Sequence, residues 1–237
     1  DLQEYLDFGL HGWAMSRYSG CWVAFKAVAD TVESSASVYV DPHRIEIALP
    51  DYALPPGGLN IRWPDGFLEQ EARLLYWKVY AALAYVRANG LDRVVWDSPD
   101  ARLGIITTGK SFGDTMQALA DLGIDERVAR DIGLRVYKVA MTWPLEPQGA
   151  RRFAQGLEEI LVIEEKRQLI EYQIKEELYT WEAGKRAPRV VGKFDDNGEW
   201  SRAEGQPAGT WLLPAHYEHN PAIVARAIAA RLEKLGL

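Results

Sequence analysis

Apolar residues recur along the chain in two rhythms. Three short runs rich in β-branched residues, at 103–107, 134–140 and 160–164, stand at near-equal spacing. Segments with a helical apolar period lie between and after them. Strands that alternate with helices in this way predict βαβ crossovers and a mostly parallel sheet flanked by helices. The fold class expected is therefore α/β, preceded by a mainly helical N-terminal segment.

In chain order, residues 1–31 read as helix from Leu2, Leu6, Leu10, Trp13, Met15 and Tyr18, continued by Trp22, Phe25, Ala29 and Val32. Gly9, Gly12 and Gly20 interrupt it, and Ser16–Trp22 is placed to break it in two. Residues 36–40 and 44–49 read as strands. Residues 50–64, with four prolines and two adjacent glycines, read as an irregular linker and a candidate boundary. Residues 67–89 predict a long helix with the stripe Leu68, Ala72, Leu75, Val79, Leu83 and Val86, closed by Asn89-Gly90. A strand is read at 93–96. Helices are read from Ser111, as N-cap, to Leu122, then at 125–132, 147–155 and 167–181. After punctuation at 184–188 come strand-like runs at 189–194 and 211–213, separated by a polar segment, 195–209. A last helix is capped by Asn220-Pro221.

Composition narrows the function classes. With 237 residues, 48% hydrophobic and 26% charged, the chain has the make-up of a soluble globular protein. Its net charge of −7 argues against a nucleic-acid partner held through phosphates. No apolar run has the length a membrane helix needs. A single cysteine, Cys21, excludes an internal disulfide and any four-thiolate cluster, and a cytoplasmic setting is expected. The chain begins at Asp1, not Met, and reads as a piece of something longer. Nine tryptophans imply that several are buried or face a neighbour.

The candidate chemistry is sparse. Gly104–Ser111 reads GIITTGKS, a literal phosphate-loop pattern, which makes a P-loop nucleotide-binding protein the alternative function. A true P-loop follows its strand; here the apolar residues Ile105 and Ile106 lie between the glycines, so the match reads as coincidence. Lys110 nevertheless sits at the carboxyl end of an expected strand, where open α/β sheets bind ligands, and is a candidate to hold an anion. A solvated turn lysine is the other reading. Glu164, Glu165, Lys166 and Arg167 read as an ion network or polar site, or as a helix start with acids in its first turn. Ser16, Arg17 and Ser19 read as a polar site or a helix junction. His216 and His219 flank Glu218 either as a metal pair or as a loop ahead of a helix. No nucleophile elbow is present.

Longer stretches carry a resemblance. LGIITTGKSFGDTMQALADLGID, GLRVYKVAMTWPLEP and LEEILVIEEKRQLIEYQIKEELY resemble the middle domain of indolepyruvate:ferredoxin oxidoreductases of the large bacterial single-chain type. These are thiamine-diphosphate-dependent 2-oxoacid:ferredoxin oxidoreductases. The N-terminal GLHGWAMSRYSGCWVAFKAVADTVESSASV and the linker LPPGGLNIRWPD are similar to the end of that family's first thiamine-binding domain. RVVGKFDDNGEW and WLLPAHYEHNPAIVARAIAARL are similar to the segment before the second.

The resemblance implies two domains. Residues 1–100 would be the C-terminal part of the pyrimidine-binding domain with its linker, and 101–237 a transketolase C-terminal-like domain. It implies an enzyme that oxidatively decarboxylates an aryl or branched 2-oxo acid to acyl-CoA, using thiamine diphosphate, Mg and [4Fe-4S], with ferredoxin and CoA as partners. This chain lacks the family's G-D-G diphosphate motif and its cluster cysteines. The expectation is therefore a structural, assembly segment with no cofactor of its own and no catalytic residue, inactive alone. It would bind the remaining domains of the same polypeptide and a second subunit. Lys110, Glu164, Glu165 and Arg167 are its weak candidates for contact with the cofactor cleft. A free-standing interaction module is the third reading.

Overall fold

In the computed structural model, residues 2–63, 65–181, 186–200 and 209–237 are described. The expected turn at 184–185 and most of the polar segment 195–209 lie outside them. The chain divides into two compact units, Asp1–Leu91 and Asp92–Leu237. The proline-rich stretch is irregular over its described residues, 50–63, but belongs to the first unit. The division falls before residue 100 because a strand at 93–96 is hydrogen-bonded into the second unit's sheet.

The first unit is helical. α1 (Leu2–Ser19) ends at Gly20, whose amide donates to the Ser16 carbonyl. Gly20 has φ +73, and a Cβ there would stand 2.6 Å from the Leu59 carbonyl oxygen. The expected continuation through Trp22 and Phe25 is not helical; only α2 (Ala29–Val32) follows. Residues 36–40 and 44–49 form no ladder. Helix side chains take their backbone groups instead: the Gln3 Oε1 accepts from the Tyr39 amide at 2.8 Å, and Asn89 holds both the amide and the carbonyl of Ala48 at 2.8 Å. α3 (Phe67–Arg73) runs through a π-helical turn at Leu74–Lys78 into α4 (Val79–Ala88). Leu83 and Val86 of the expected stripe are buried, whereas Leu68 and Leu75 face solvent. α1 packs on α4 around Met15, Ala81 and fully buried Tyr85, whose hydroxyl meets His11 Nδ1 at 3.0 Å.

Among the described residues, the second unit forms a five-stranded sheet of order β1-β3-β2-β4-β5. Its strands are β1 (Arg93–Trp96), β2 (Leu103–Thr108), β3 (Leu134–Val139), β4 (Glu159–Ile163) and β5 (Arg189–Val191). β2 pairs in parallel with β3 and β4, and β4 with β5; only β1, on the edge, is antiparallel. The central strands are almost wholly apolar because helices cover both faces. Alternate residues serve opposite cores. Leu103, Ile105, Leu134, Val136, Leu161 and Ile163 pack beneath α5 (Gly109–Asp121), α6 (Glu126–Ile132) and α9 (Pro221–Leu235). Ile106, Tyr137, Val139, Ile160 and Val162 pack beneath α7 (Pro147–Ala154) and α8 (Ile170–Tyr179).

Local chemistry sets the element ends. Asp125 and Asn220 cap α6 and α9 by accepting from the amides of Val128 and Ile223. Ser111 is not the cap of α5. That helix already starts at Gly109, and Ser111 lies buried in its first turn. α8 starts three residues later than its apolar pattern suggests, where the Glu164 carboxylate accepts from the amides of Leu169, Ile170 and Glu171. Residues 211–213 form no strand; a single bridge joins Trp211 to Phe194.

Candidate functional site at the carboxyl edge of the sheet

The connection after β2 leaves over one face of the sheet toward β3, and that after β4 leaves over the other face toward β5. The carboxyl ends of these two neighbours are therefore the topological switch point, where α/β sheets of this kind bind ligands. Lys110 opens α5 at the end of β2, and Glu164 and Glu165 follow β4 directly. The structure thus brings three of the four sequence candidates together. Arg167 lies outward, in an exposed pair with Glu199 at 2.7 Å.

Each of these groups is held by a protein partner. Lys110 Nζ donates to Asp114 Oδ2 at 2.9 Å and to the His219 carbonyl at 2.8 Å, and stands 3.7 Å from Glu165 Oε1. Glu165 also accepts from the His219 amide at 3.3 Å. Glu164, 5% exposed, accepts from the amides of Leu169, Ile170 and Glu171 at 2.9–3.0 Å, so its carboxylate caps α8. Burial pushes the Glu164 carboxyl above its usual range, and the three amides only partly offset this.

Sequence reasoning missed the centre of the network. Lys193, 1% exposed, follows β5 and sends its Nζ to the carbonyls of Glu164 (2.5 Å) and Pro214 (3.2 Å). It also lies 3.4 Å from His219 Nε2. Burial pulls the Lys193 ammonium down to about 8, although Glu164, Glu171 and Glu165 oppose the shift. His219 is buried and its pKa is lowered, again chiefly by burial; its Nδ1 has no hydrogen-bond partner. The one available signal was a lysine inside the strand-like run RVVGKF, where an exposed charge does not belong. His216, by contrast, is exposed, so the two histidines occupy opposite environments. Lys166 and Tyr217, both non-glycine residues with positive φ (58° and 61°), are joined across the network by Lys166 Nζ and the Tyr217 carbonyl at 2.9 Å.

These contacts form one network. It fastens α5, the β4–α8 turn, the end of β5 and the approach to α9 to one another. A further anion at Lys110 would meet Asp114 and Glu165. The phosphate-loop pattern is no loop: Gly104 to Thr107 pair with β3 on one side and β4 on the other, so their backbone faces neighbouring strands. In the first unit, Ser16 and Ser19 bond the Cys21 carbonyl and amide and the Met15 carbonyl; they close the end of α1, and no second helix follows directly, so the expected junction of two helices is not found. Around the network the surface is aromatic. Trp143 (63% exposed) follows β3, Tyr172 begins α8, and Tyr217 is 81% exposed. Gln173 ties the Trp143 loop to α8 through the Leu145 amide (2.8 Å) and the Thr142 carbonyl (2.9 Å).

Residues 92–237 match the family model described as the indolepyruvate ferredoxin oxidoreductase middle domain. Over 97% of its length the chain is 26% identical to the indolepyruvate oxidoreductase subunit IorA of Methanothermobacter thermautotrophicus, and it spans 32% of that relative. It is 32% identical over 139 residues, 59% of the chain, to the same subunit of Methanothermobacter marburgensis, spanning 18% of it. Among solved structures it aligns with 2-oxoglutarate:ferredoxin oxidoreductase from Magnetococcus marinus at 14% identity. That alignment covers 83% of this chain and 29% of the other, with a TM-score of 0.39.

Proposed function

The chain belongs to the indolepyruvate ferredoxin oxidoreductase family through its middle domain, and from that premise we propose that it is the assembly-bearing part of a 2-oxoacid:ferredoxin oxidoreductase. The complete enzyme would be cytoplasmic. It would oxidatively decarboxylate an aryl or branched 2-oxo acid to acyl-CoA with thiamine diphosphate, Mg and [4Fe-4S], and hand electrons to ferredoxin. This segment would dock the other domains of its polypeptide and a second subunit. Its second unit would be the transketolase C-terminal-like domain, and its first the end of the pyrimidine-binding domain.

The residues present do not fit those cofactors. Cys21 alone cannot supply a cluster's thiolates, and among the described residues no three His, Cys, Asp or Glu side chains are grouped to hold a metal ion. No chemical step is therefore assigned to this chain. The observation that carries the assembly reading is the switch point itself: the position where this sheet would take a ligand is filled by the protein's own ion network, and the surface around it is aromatic. Holding a cofactor cleft in register contributes to catalysis without a reacting group.

The test is reconstitution. The chain alone should show no 2-oxoacid-dependent reduction of a viologen dye in the presence of CoA and thiamine diphosphate. Co-expression with the flanking regions should restore it. Turnover by the chain alone, or intact activity of a parent enzyme from which residues 92–237 are deleted, would overturn the reading.

A further inference from the structure

The first unit carries a row of backbone groups that bond nothing. After α1 closes at Gly20, residues 22–27 (WVAFKA) belong to no helix and no ladder, and none of their amides or carbonyls is hydrogen-bonded among the described residues. The run turns back along α1. A Cβ on Gly12 would stand 3.5 Å from Val23 Cγ1, and the Phe25 ring meets the Tyr5 ring edge-on at 5.4 Å. Gly12 and Tyr5 are about 10 Å apart along the helix, a step that two residues and their side chains span only when extended. Val28, at the end of the run, is extended as well. Trp22 is 98% exposed while Val23 and Phe25 lie against α1, the alternation of a strand.

That strand has no neighbour, yet the floor for one is present. A helix about 10 Å wide covers two strands set about 4.8 Å apart. On one side of the Tyr5–Gly12 line, Met15 and His11 are buried toward α4. On the other side Leu6 (42% exposed), Leu10 (49%) and Trp13 (76%) form an apolar stripe at i, i+4 and i+7. A Cβ on Gly9, beside that stripe, would meet nothing within 4 Å. An apolar floor therefore runs beside a row of open donors and acceptors, and such a row is a template for pairing with another strand.

We propose that this slot receives a β-strand from the flanking part of the same polypeptide, added edge-on to residues 22–27. The slot sets its chemistry: an extended backbone, with uncharged apolar side chains at every second position against Leu6, Leu10 and Trp13. The inference rests on the assembly reading and names one of its contacts. The chain spans 32% of its Methanothermobacter thermautotrophicus relative, so the flanking polypeptide is the source to hand. A second copy is opposed by the net charge of −7 that each copy carries.

Hydrogen exchange on the chain alone, and on the chain co-expressed with its flanking regions, tests the pairing. Alternate amides within 22–27 should exchange freely in the first and at least about 100-fold more slowly in the second. Ala24→Pro and Ala27→Pro each remove one amide, from opposite edges of the run. Both should leave the urea midpoint of the chain unchanged, since neither amide is bonded there. One of the two should lower recovery of the complex at least about tenfold, the loss expected from one backbone hydrogen bond and the acceptor it leaves unpaired. Leu10→Lys, which puts a charge on the floor, should do the same. Restored activity with 22–27 still unprotected, or wild-type recovery with Leu10→Lys or with both prolines, would overturn this proposal and leave the assembly reading standing. Failure of reconstitution itself would overturn both. Protection in the chain alone that grows with its concentration would assign the slot to a second copy and overturn the choice of the flanking polypeptide.

Discussion

Gly104→Ala tests the reading of the GIITTGKS stretch as a central strand. Gly104 is not among the glycines with positive φ, so its backbone admits alanine; what it lacks is room. A Cβ there would stand 2.4 Å from Leu157 Cδ1 and 2.6 Å from Phe153 Cζ, two side chains buried under α7. Overpacking of this kind costs about 1–3 kcal/mol. Lower entropy of the unfolded alanine chain returns about 0.4–1 kcal/mol. The net loss should be about 1–2 kcal/mol, a fall in Tm of roughly 2–8 °C for a unit of this size. Urea unfolding followed by tryptophan fluorescence measures it. Leu157→Ala alone should cost about 2–5 kcal/mol. Combined with Gly104→Ala it should cost less than the sum, because the new methyl enters the space vacated. A wild-type midpoint for Gly104→Ala, or strict additivity, would show that the ring and the leucine are not over Gly104. Tight Mg·ATP binding lost in Gly104→Ala would restore the phosphate-loop reading.

Three further outcomes follow from the same geometry. Arg231 is 4% exposed and grips Glu159, 1% exposed, through two bonds of 2.6 Å; Arg231→Ala should cost about 3–5 kcal/mol, whereas Glu159→Leu with Arg231→Met should recover most of it, as urea midpoints would show. Lys193, pulled down to about 8 when folded, binds fewer protons than the unfolded chain up to its ordinary 10.5. Stability should therefore rise with pH across that window, by up to about 1.4 kcal/mol per unit, with the penalty fully present below it. Lys193→Met should abolish that component, and identical slopes in both proteins would refute it. Trp143→Ala and Tyr217→Asn, the latter suited to positive φ, should leave the chain's stability within about 0.5 kcal/mol yet weaken reconstitution with the flanking regions.

Much of the sheet unit was legible because its strands are buried on both faces. An apolar run such as EILVI has one plausible fate when turn residues bound it, and Asn220-Pro221 announces a helix by its own backbone chemistry. The first unit was less legible for the opposite reason. ASVYV and RIEIAL have strand-like composition, but a ladder needs a second strand, and side chains such as Gln3 and Asn89, distant in sequence, took the backbone bonds instead. The stripe on the long helix misled similarly: its period is a property of the sequence, whereas the covered portion depends on what packs there, and α1 packs chiefly on the α4 half.

The site divides along the same line. Lys110, Glu164 and Glu165 were found because the ends of parallel strands converge by topology. Lys193 was not, and His219 was read only as half of a metal pair or as part of a loop, since their importance comes from burial that no local pattern encodes. A lysine taken out of water this far demands acceptors, and here backbone carbonyls of Glu164 and Pro214 supply them in place of a carboxylate directly bonded to its Nζ. Such a contact specifies the path of the chain more than it stabilises it, because removing a charge from water offsets most of what the hydrogen bonds return. The network therefore works as a fixture that holds the β4–α8 turn and the approach to α9 in one arrangement, and with them the exposed Tyr217. A surface fixed in this way suits docking, because little ordering remains to be done when a partner arrives.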